Sequence, residues 1–174
     1  MAHLNFGKLL SDMGQFDAAM GEYTKAEQLA PYDYRPQYQM GKVYLRHGDG
    51  AEAVKHFRAA LQFSPNDFET LTWLARALAA DKNPSVRNGA EAVSVAERAN
   101  DLTGGQQPFV LDVLAMAYAE AGRFQDAQKT AQNAIDIATT SGTKDMVPVM
   151  QERLRLYQSN TPYRDDFSQA IPGK

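Results

Sequence analysis

The sequence contains no cysteine, and this absence excludes disulfides, thiolate metal ligands and cysteine nucleophiles. It also lacks an excess of one charge, since 18 Lys and Arg face 21 Asp and Glu for a net charge of −3. Binding of duplex nucleic acid through phosphate charge is therefore not expected. No apolar run approaches the roughly 18 residues that a membrane helix needs, and the N-terminus has no signal-peptide pattern. We expect no membrane insertion by these residues, and the composition suits the cytoplasm and the periplasm equally.

Motifs that carry chemistry are also missing. The three histidines are scattered and have no ligand partners at metal-binding spacing. Gly41-Lys42 lacks both the preceding glycine and the following Ser or Thr of a phosphate-binding loop. Asp165 and Asp166 are adjacent carboxylates, but they lie in an expected tail where nothing would hold them in a catalytic geometry. We therefore predict a protein that is not an enzyme and binds neither a metal nor a cofactor.

What the chain does contain is an internal repeat. Small, aromatic and proline positions recur at an offset of 34 residues. The matching pairs are Gly7 and Gly41, Gly14 and Gly48, Ala19 and Ala53, Tyr23 and Phe57, Ala26 and Ala60, and Pro31 and Pro65. Two later copies follow, and the third carries about five extra residues within 81–87. Each copy has two stretches of helical periodicity that end at glycine or proline, so the unit is helix–turn–helix.

This pattern resembles the tetratricopeptide repeat, with its small residues at positions 8, 20 and 27, aromatics at 11 and 24, and proline at 32. In the second copy these places hold Gly41, Tyr44, Ala53, Phe57, Ala60 and Pro65. The third and fourth copies depart more, because alanine replaces the aromatic at position 24 and the proline is absent. The resemblance covers about residues 2–140. It implies an all-α solenoid of about four repeats that binds proteins rather than catalysing a reaction.

The repeat boundaries follow from this register. The predicted units are repeats at 1–33, 34–67, 68–106 with a loop insertion at 81–87, and 107–141, a capping helix at 144–159, and a flexible tail at 160–174. Because residue 3 already corresponds to position 4 of the pattern, we expect the first repeat to lack part of its opening turn, as in a fragment of a longer array.

The resemblance implies a concave groove lined by the first helix of each repeat. Lys8, Lys42 and Arg76 share one repeat position and are expected to form a cationic stripe. The fourth repeat places Met116 at that position and adds Asp112, so we expect the groove to become apolar and acidic there. The predicted peptide-binding residues are Asn5, Lys8, Arg35, Tyr38, Gln39, Lys42, Arg46, Trp73 and Arg76.

The expected ligand is an extended peptide that carries carboxylates and an aromatic or apolar anchor. Clustered cations steer anionic partners, and Trp, Tyr and Arg often dominate binding energy. The pattern by which some family members bind chaperone C-terminal tails does not match, because glutamate stands at residue 69 and tryptophan at residue 73 where it needs cations.

Two alternatives stay open. The stretch 87–126 resembles the C-terminal arrays of large bacterial proteins, some of them membrane glycosyltransferases, so this region could serve a larger enzyme. The chain could instead be a self-assembling solenoid that associates through its incomplete N-terminal repeat or its C-terminal tail. In that case the acidic, aromatic segment 162–167 of one molecule would enter the groove of its neighbour.

Overall fold

The computed structural model describes residues 1–167, so the part of the expected tail at 168–174 lies outside the described residues. Within 1–167 the regular structure is helical, apart from one isolated β-bridge. A single 3₁₀ turn at Lys144–Met146 precedes the last helix. The α-helices are α1 Ala2–Asp12, α2 Phe16–Leu29, α3 Tyr34–Arg46, α4 Gly50–Phe63, α5 Phe68–Ala80, α6 Gly89–Leu102, α7 Pro108–Glu120, α8 Phe124–Thr140 and α9 Val147–Gln158.

The helices stack in two layers. Each odd-numbered helix from α1 to α7 packs on the helix that follows it, and α9 packs on α8. The odd-numbered helices also pack side by side, α1 on α3, α3 on α5 and α5 on α7. They therefore form one layer while α2, α4, α6 and α8 form the other. The prediction of an all-α helical-repeat solenoid is confirmed.

Short polar side chains and glycines set the helix boundaries. Asp49, Asp67 and Asn88 precede α4, α5 and α6, and each accepts a hydrogen bond from a backbone N–H in the first helical turn. These bonds satisfy donors that have no partner within the helix. Gly48 follows α3 with φ of +84°, a conformation that glycine adopts without strain. Local sequence thus determines where the repeats turn.

The paired small and aromatic residues of the repeat are in contact. A Cβ atom built on Gly41 would lie 2.6 Å from Cε1 of Phe57, and one built on Gly7 would lie 2.6 Å from Cε1 of Tyr23. Phe57 and Tyr23 are both fully buried. The ring of the second helix therefore occupies the space that a side chain on the first helix would need.

Alanine at Gly41 is expected to lower the free energy of unfolding by about 1–3 kcal/mol, because the new methyl group overpacks the Phe57 ring. Gly21 is a matched control, since it is exposed within α2 and no atom stands within 4 Å of its added Cβ. Alanine there is expected to stabilise the protein by about 0.5–1 kcal/mol, because it lowers the entropy cost of the helix. Urea unfolding followed by circular dichroism measures both changes, and changes of the same sign would contradict the packing argument.

The C-terminal segment, defined here as residues 160–167, differs from the predicted flexible tail. It leaves α9 and passes α7 to reach the end of α5, where Asp165 and Phe167 are each only 5% exposed. Its sequence has no helical periodicity, but order does not require periodicity when tertiary contacts bury the side chains. Residues 160–167 therefore pack against the fold where the sequence predicted a flexible tail.

Candidate functional site

Predicted site residues from α3 and α5 meet on the surface of the odd-numbered helices, called here the inner face. The Lys42 Nζ lies 5.2 Å from the ring centre of Tyr38 and 5.4 Å from that of Trp73. The Arg76 guanidinium lies 5.1 Å from the Trp73 ring. These distances are within the range of cation–π attraction. Positions one repeat apart in the sequence therefore join in one cluster of cations and aromatic rings.

Tyr38 is a buried part of this surface and does not project into solvent. Its side chain belongs to the main hydrophobic cluster, and its hydroxyl donates a 3.0 Å hydrogen bond to Glu69 Oε2. Burial, together with the charge of Glu69, raises the pKa of Tyr38. The hydroxyl thus stays a proton donor that is already engaged by Glu69, and the ring is what lies against the Lys42 ammonium.

The N-terminal part of the inner face is more exposed. Asn5 and Lys8 are exposed on α1, and Gln39 is half-buried on α3. Arg46 Nη1 lies 3.4 Å from Asp12 Oδ1. The charge of Arg46 is therefore partly balanced by α1.

Arg35 is also engaged locally. Its Nη2 lies 2.6 Å from Asp33 Oδ2, within the same helix start. The pKa of Asp33 is lowered, mainly because its carboxylate accepts hydrogen bonds from the Arg35 side chain. The charge of Arg35 is therefore balanced by a carboxylate of its own helix start.

Arg76, the third stripe position, is not available to solvent. It is only 6% exposed, and its guanidinium forms a buried ion pair with Asp165 of the C-terminal segment. Its Nε donates to Asp165 Oδ2 at 2.8 Å, and the guanidinium lies 5.4 Å from the Phe167 ring centre. The prediction that Arg76 lines an open groove is corrected here, because the chain's own segment already provides an acidic and an aromatic partner.

The fourth repeat does not present an open acidic and apolar groove end. Asp112 and Met116 are buried at 1% and 2% exposure. Arg153 of α9 pairs with Asp112, and the Arg153 guanidinium stacks 4.5 Å from the ring centre of Tyr163. The capping helix and the C-terminal segment therefore close this end of the inner face.

Sequence reasoning missed Arg153 and the local role of Tyr163 to Phe167. Arg153 lies on a helix that was expected only to cover the last repeat, and a single arginine there carries no distinguishing signal. The acidic, aromatic composition of the segment did match the ligand expected for the groove. Entry of this segment into the groove of a neighbouring molecule was one of the open alternatives, whereas in the structure the segment packs on its own chain.

The surface proposed for self-association at the N-terminus exposes apolar residues. Phe6 and Leu9 of α1 and Met13, the residue directly after α1, are exposed and follow one another at helical spacing. Association through them stays a prediction. Within residues 1–167, no helix is long and apolar enough to cross a membrane, and no three acidic or histidine side chains converge as metal ligands.

Solved structures share this architecture at low sequence identity. MamA from Desulfovibrio magneticus RS-1 is 16% identical, with a TM-score of 0.68 over 91% of this chain and 94% of that one. A thermophilic repeat protein of Thermus thermophilus is 18% identical, with a TM-score of 0.63 over 91% and 97%. The TPR2AB domain of yeast Sti1 in complex with pHSP90 is 17% identical, with a TM-score of 0.62 over 90% and 68%. These similarities show the fold alone.

Sequence comparison identifies the repeat. No curated protein matches this sequence. Two sequence models described as the tetratricopeptide repeat match residues 2–33 and 35–79, which span the first two repeats and nearly all of α5 in the third. Together with the paired helices and their buried Gly and aromatic contacts, these matches show that the chain contains tetratricopeptide repeats.

Proposed function

We propose that the inner face is a non-catalytic docking surface for an extended peptide of a protein partner, and that this peptide carries carboxylates and an aromatic anchor. The observation that carries the proposal is the cluster in which Lys42 lies between the rings of Tyr38 and Trp73. A partner carboxylate would meet the Lys42 ammonium, and a partner aromatic ring would lie against Trp73. Tyr38 and Trp73 are of residue types that recur at the centres of protein interfaces.

The charge of the surface supports an acidic ligand. Lys8 is exposed one repeat before Lys42, and Arg46 lies on the same helix as Lys42. Neighbouring cations raise the local concentration of an anionic ligand and speed its association. Such steering is screened by salt over about 8 Å at physiological ionic strength. We therefore expect binding that weakens as salt is added.

Charge reversal at Lys8 and Lys42 provides the test. Peptides would first be selected on the wild-type protein from a random library, and we expect enrichment of sequences that combine Asp or Glu with an aromatic residue. The variant Lys8→Glu/Lys42→Glu is expected to bind the selected peptides at least about tenfold more weakly, since each buried or partly buried charge contact contributes roughly 1.5–3 kcal/mol. Fluorescence anisotropy at two salt concentrations measures the affinity.

The matched control is Lys129→Glu/Lys144→Glu, which changes the net charge equally. Lys129 and Lys144 lie on α8 and on the 3₁₀ turn, outside the layer that forms the inner face. This control is expected to retain the wild-type affinity. Equal binding by both charge-reversed variants would overturn the assignment of the ligand to the inner face.

A further inference from the structure

The residues of the C-terminal segment make successive contacts with the fold, as residues of a bound peptide do. The Tyr163 ring stacks on Arg153, and Arg164 Nη1 lies 2.7 Å from Glu120 Oε2. Asp165 then pairs with Arg76, and Phe167 enters the hydrophobic core. Contacts made by one side chain after another along a segment are characteristic of peptide recognition.

Asp165 and Phe167 are held most closely. The Asp165 backbone N–H donates a 2.8 Å hydrogen bond to the carbonyl oxygen of Ala80. The Asp165 Oδ2 accepts from Arg76, while its Oδ1 accepts from the Phe167 N–H at 2.9 Å. The main chain, the carboxylate and the ring of an Asp-x-Phe sequence are therefore all engaged at the end of α5. We call this site, which includes the Arg76 side chain and the Ala80 carbonyl group, the Arg76 seat.

The insertion in the third repeat completes the Arg76 seat. Residues 81–88 connect α5 to α6, and Asp81 forms a parallel β-bridge with Asp165. Arg87 shapes this connection by donating to the carbonyl oxygens of Asp81 and Lys82 at 2.7 and 3.0 Å. Among the repeats that the structure describes, only the third carries this insertion, so the backbone edge that pairs with Asp165 belongs to this repeat.

We propose that the Arg76 seat recognises an Asp-x-Phe sequence, and that residues 165–167 occupy it as an intramolecular competitor of the partner's peptide. This inference rests on the proposed function of the inner face. Competition follows from the geometry, because Trp73 contacts both Lys42 of the proposed docking surface and Arg76 of the seat. A peptide that extends from Lys42 toward the fourth repeat therefore meets the C-terminal segment and must displace it.

Tethering makes the internal segment an effective competitor. Residues 160–164 join residues 165–167 to α9, so the local concentration of residues 165–167 at the seat is on the order of millimolar or more. An external peptide binds only the fraction of molecules in which the seat is open, and its apparent affinity falls by that fraction. Release of the segment should therefore strengthen binding in trans without any change in the seat itself.

The test compares the full chain with the full-length variant Asp165→Ala/Phe167→Ala, which removes both anchors of the segment and leaves Arg76 and Trp73 in place. The probe is a fluorescent peptide with the sequence of residues 162–167, titrated to millimolar concentration. We expect the variant to bind this peptide at least about tenfold more tightly than wild type. The chain has a single tryptophan, so the emission of Trp73 reports peptide arrival at the seat directly.

Two matched controls isolate the recognised residues. Asp166→Ala removes the carboxylate next to Asp165. The Asp166 Oδ2 lies 3.6 Å from the Lys82 Nζ at the surface, so this variant should bind the peptide with the wild-type affinity. A probe with asparagine in place of its first aspartate, equivalent to Asp165, should not bind the released variant. A probe with asparagine in place of its second aspartate should bind normally.

The outcomes separate this inference from the proposed function. Circular dichroism checks that the variant is folded. If the folded variant does not bind the 162–167 peptide, recognition by the seat is overturned. The proposed function would still stand if peptides selected on the inner face remained sensitive to Lys8→Glu/Lys42→Glu. A molecular mass that rises with concentration in wild type but not in the variant would instead place the segment on a second copy, and would overturn intramolecular occupancy.

Discussion

Replacement of Arg153 by methionine is expected to lower the free energy of unfolding by about 3–5 kcal/mol at neutral pH, since it leaves a buried carboxylate without its partner. The Asp112 side chain is almost completely buried, and the Arg153 guanidinium is its ion-pair partner. Methionine keeps most of the aliphatic volume of arginine. The loss should therefore come from the charge rather than from a cavity.

Two comparisons attribute the loss to the ion pair. Arg155 lies on the same helix but is exposed, and methionine there should change stability by less than about 0.5 kcal/mol. The double variant Asp112→Leu/Arg153→Met should recover most of the loss, because a buried pair replaced by apolar side chains is often neutral or stabilising. Chemical denaturation gives all three values. Equal losses for the two single arginine variants would contradict the assignment.

The Arg153→Met loss should also depend on pH. Burial already raises the pKa of Asp112 while the charges of Arg153 and Arg76 lower it, so removal of Arg153 raises the pKa further. A carboxyl whose folded pKa exceeds its unfolded pKa binds protons more readily in the folded state. The folded variant therefore gains stability relative to wild type as the pH falls through that raised pKa. The difference in unfolding free energy between wild type and variant should therefore shrink as the pH is lowered from 7 to about 4.

The replacement of Phe57 by alanine is expected to cost about 3–5 kcal/mol, as for other fully buried aromatic residues. The ring is completely buried between α3 and α4, against Gly41 and 6.4 Å from the Tyr38 ring centre. Its removal leaves a cavity beneath the helix that presents Lys42. We therefore also expect weaker peptide binding by the inner face, because Tyr38 loses its support.

Phe63 is the control for this change. It lies on the same helix but is 45% exposed, with its ring 6.1 Å from that of Tyr32. Its replacement by alanine should cost less than about 1 kcal/mol. Urea denaturation monitored by circular dichroism compares the unfolding free energies of the two variants. A change in the dependence of this free energy on urea concentration would reveal a repeat that unfolds separately. A loss at Phe63 as large as that at Phe57 would show that burial against Gly41 is not the source of stability.

Much of the fold could be predicted because its determinants recur at a constant spacing. Gly41 and Phe57 are 16 residues apart, as are Gly7 and Tyr23, and each pair closes one helix hairpin. The 34-residue repeat placed Lys42 and Arg76 on equivalent helices, and the structure brings both to the Trp73 ring. Periodicity therefore predicted which face a residue occupies.

Exposure on that face could not be predicted in the same way. Arg76 pairs with a residue 89 positions away, and Asp112 pairs with a residue 41 positions away. Neither contact has a repeat equivalent, and the C-terminal segment has no helical periodicity. The sequence indicated an acidic, aromatic segment suited to the groove, but only the structure shows that it binds its own chain.

The sequence by itself determined the repeating helix hairpins, since hydrophobic periodicity, capping residues and Gly–aromatic pairs act over short and regular separations. The tertiary structure alone decided which part of the inner face is covered. Coverage depends on how far α9 and residues 160–167 turn back across the stack, and on the burial energy of Asp165 and Phe167 at the end of α5. Such contacts form only once the repeats have stacked and created the place that receives them.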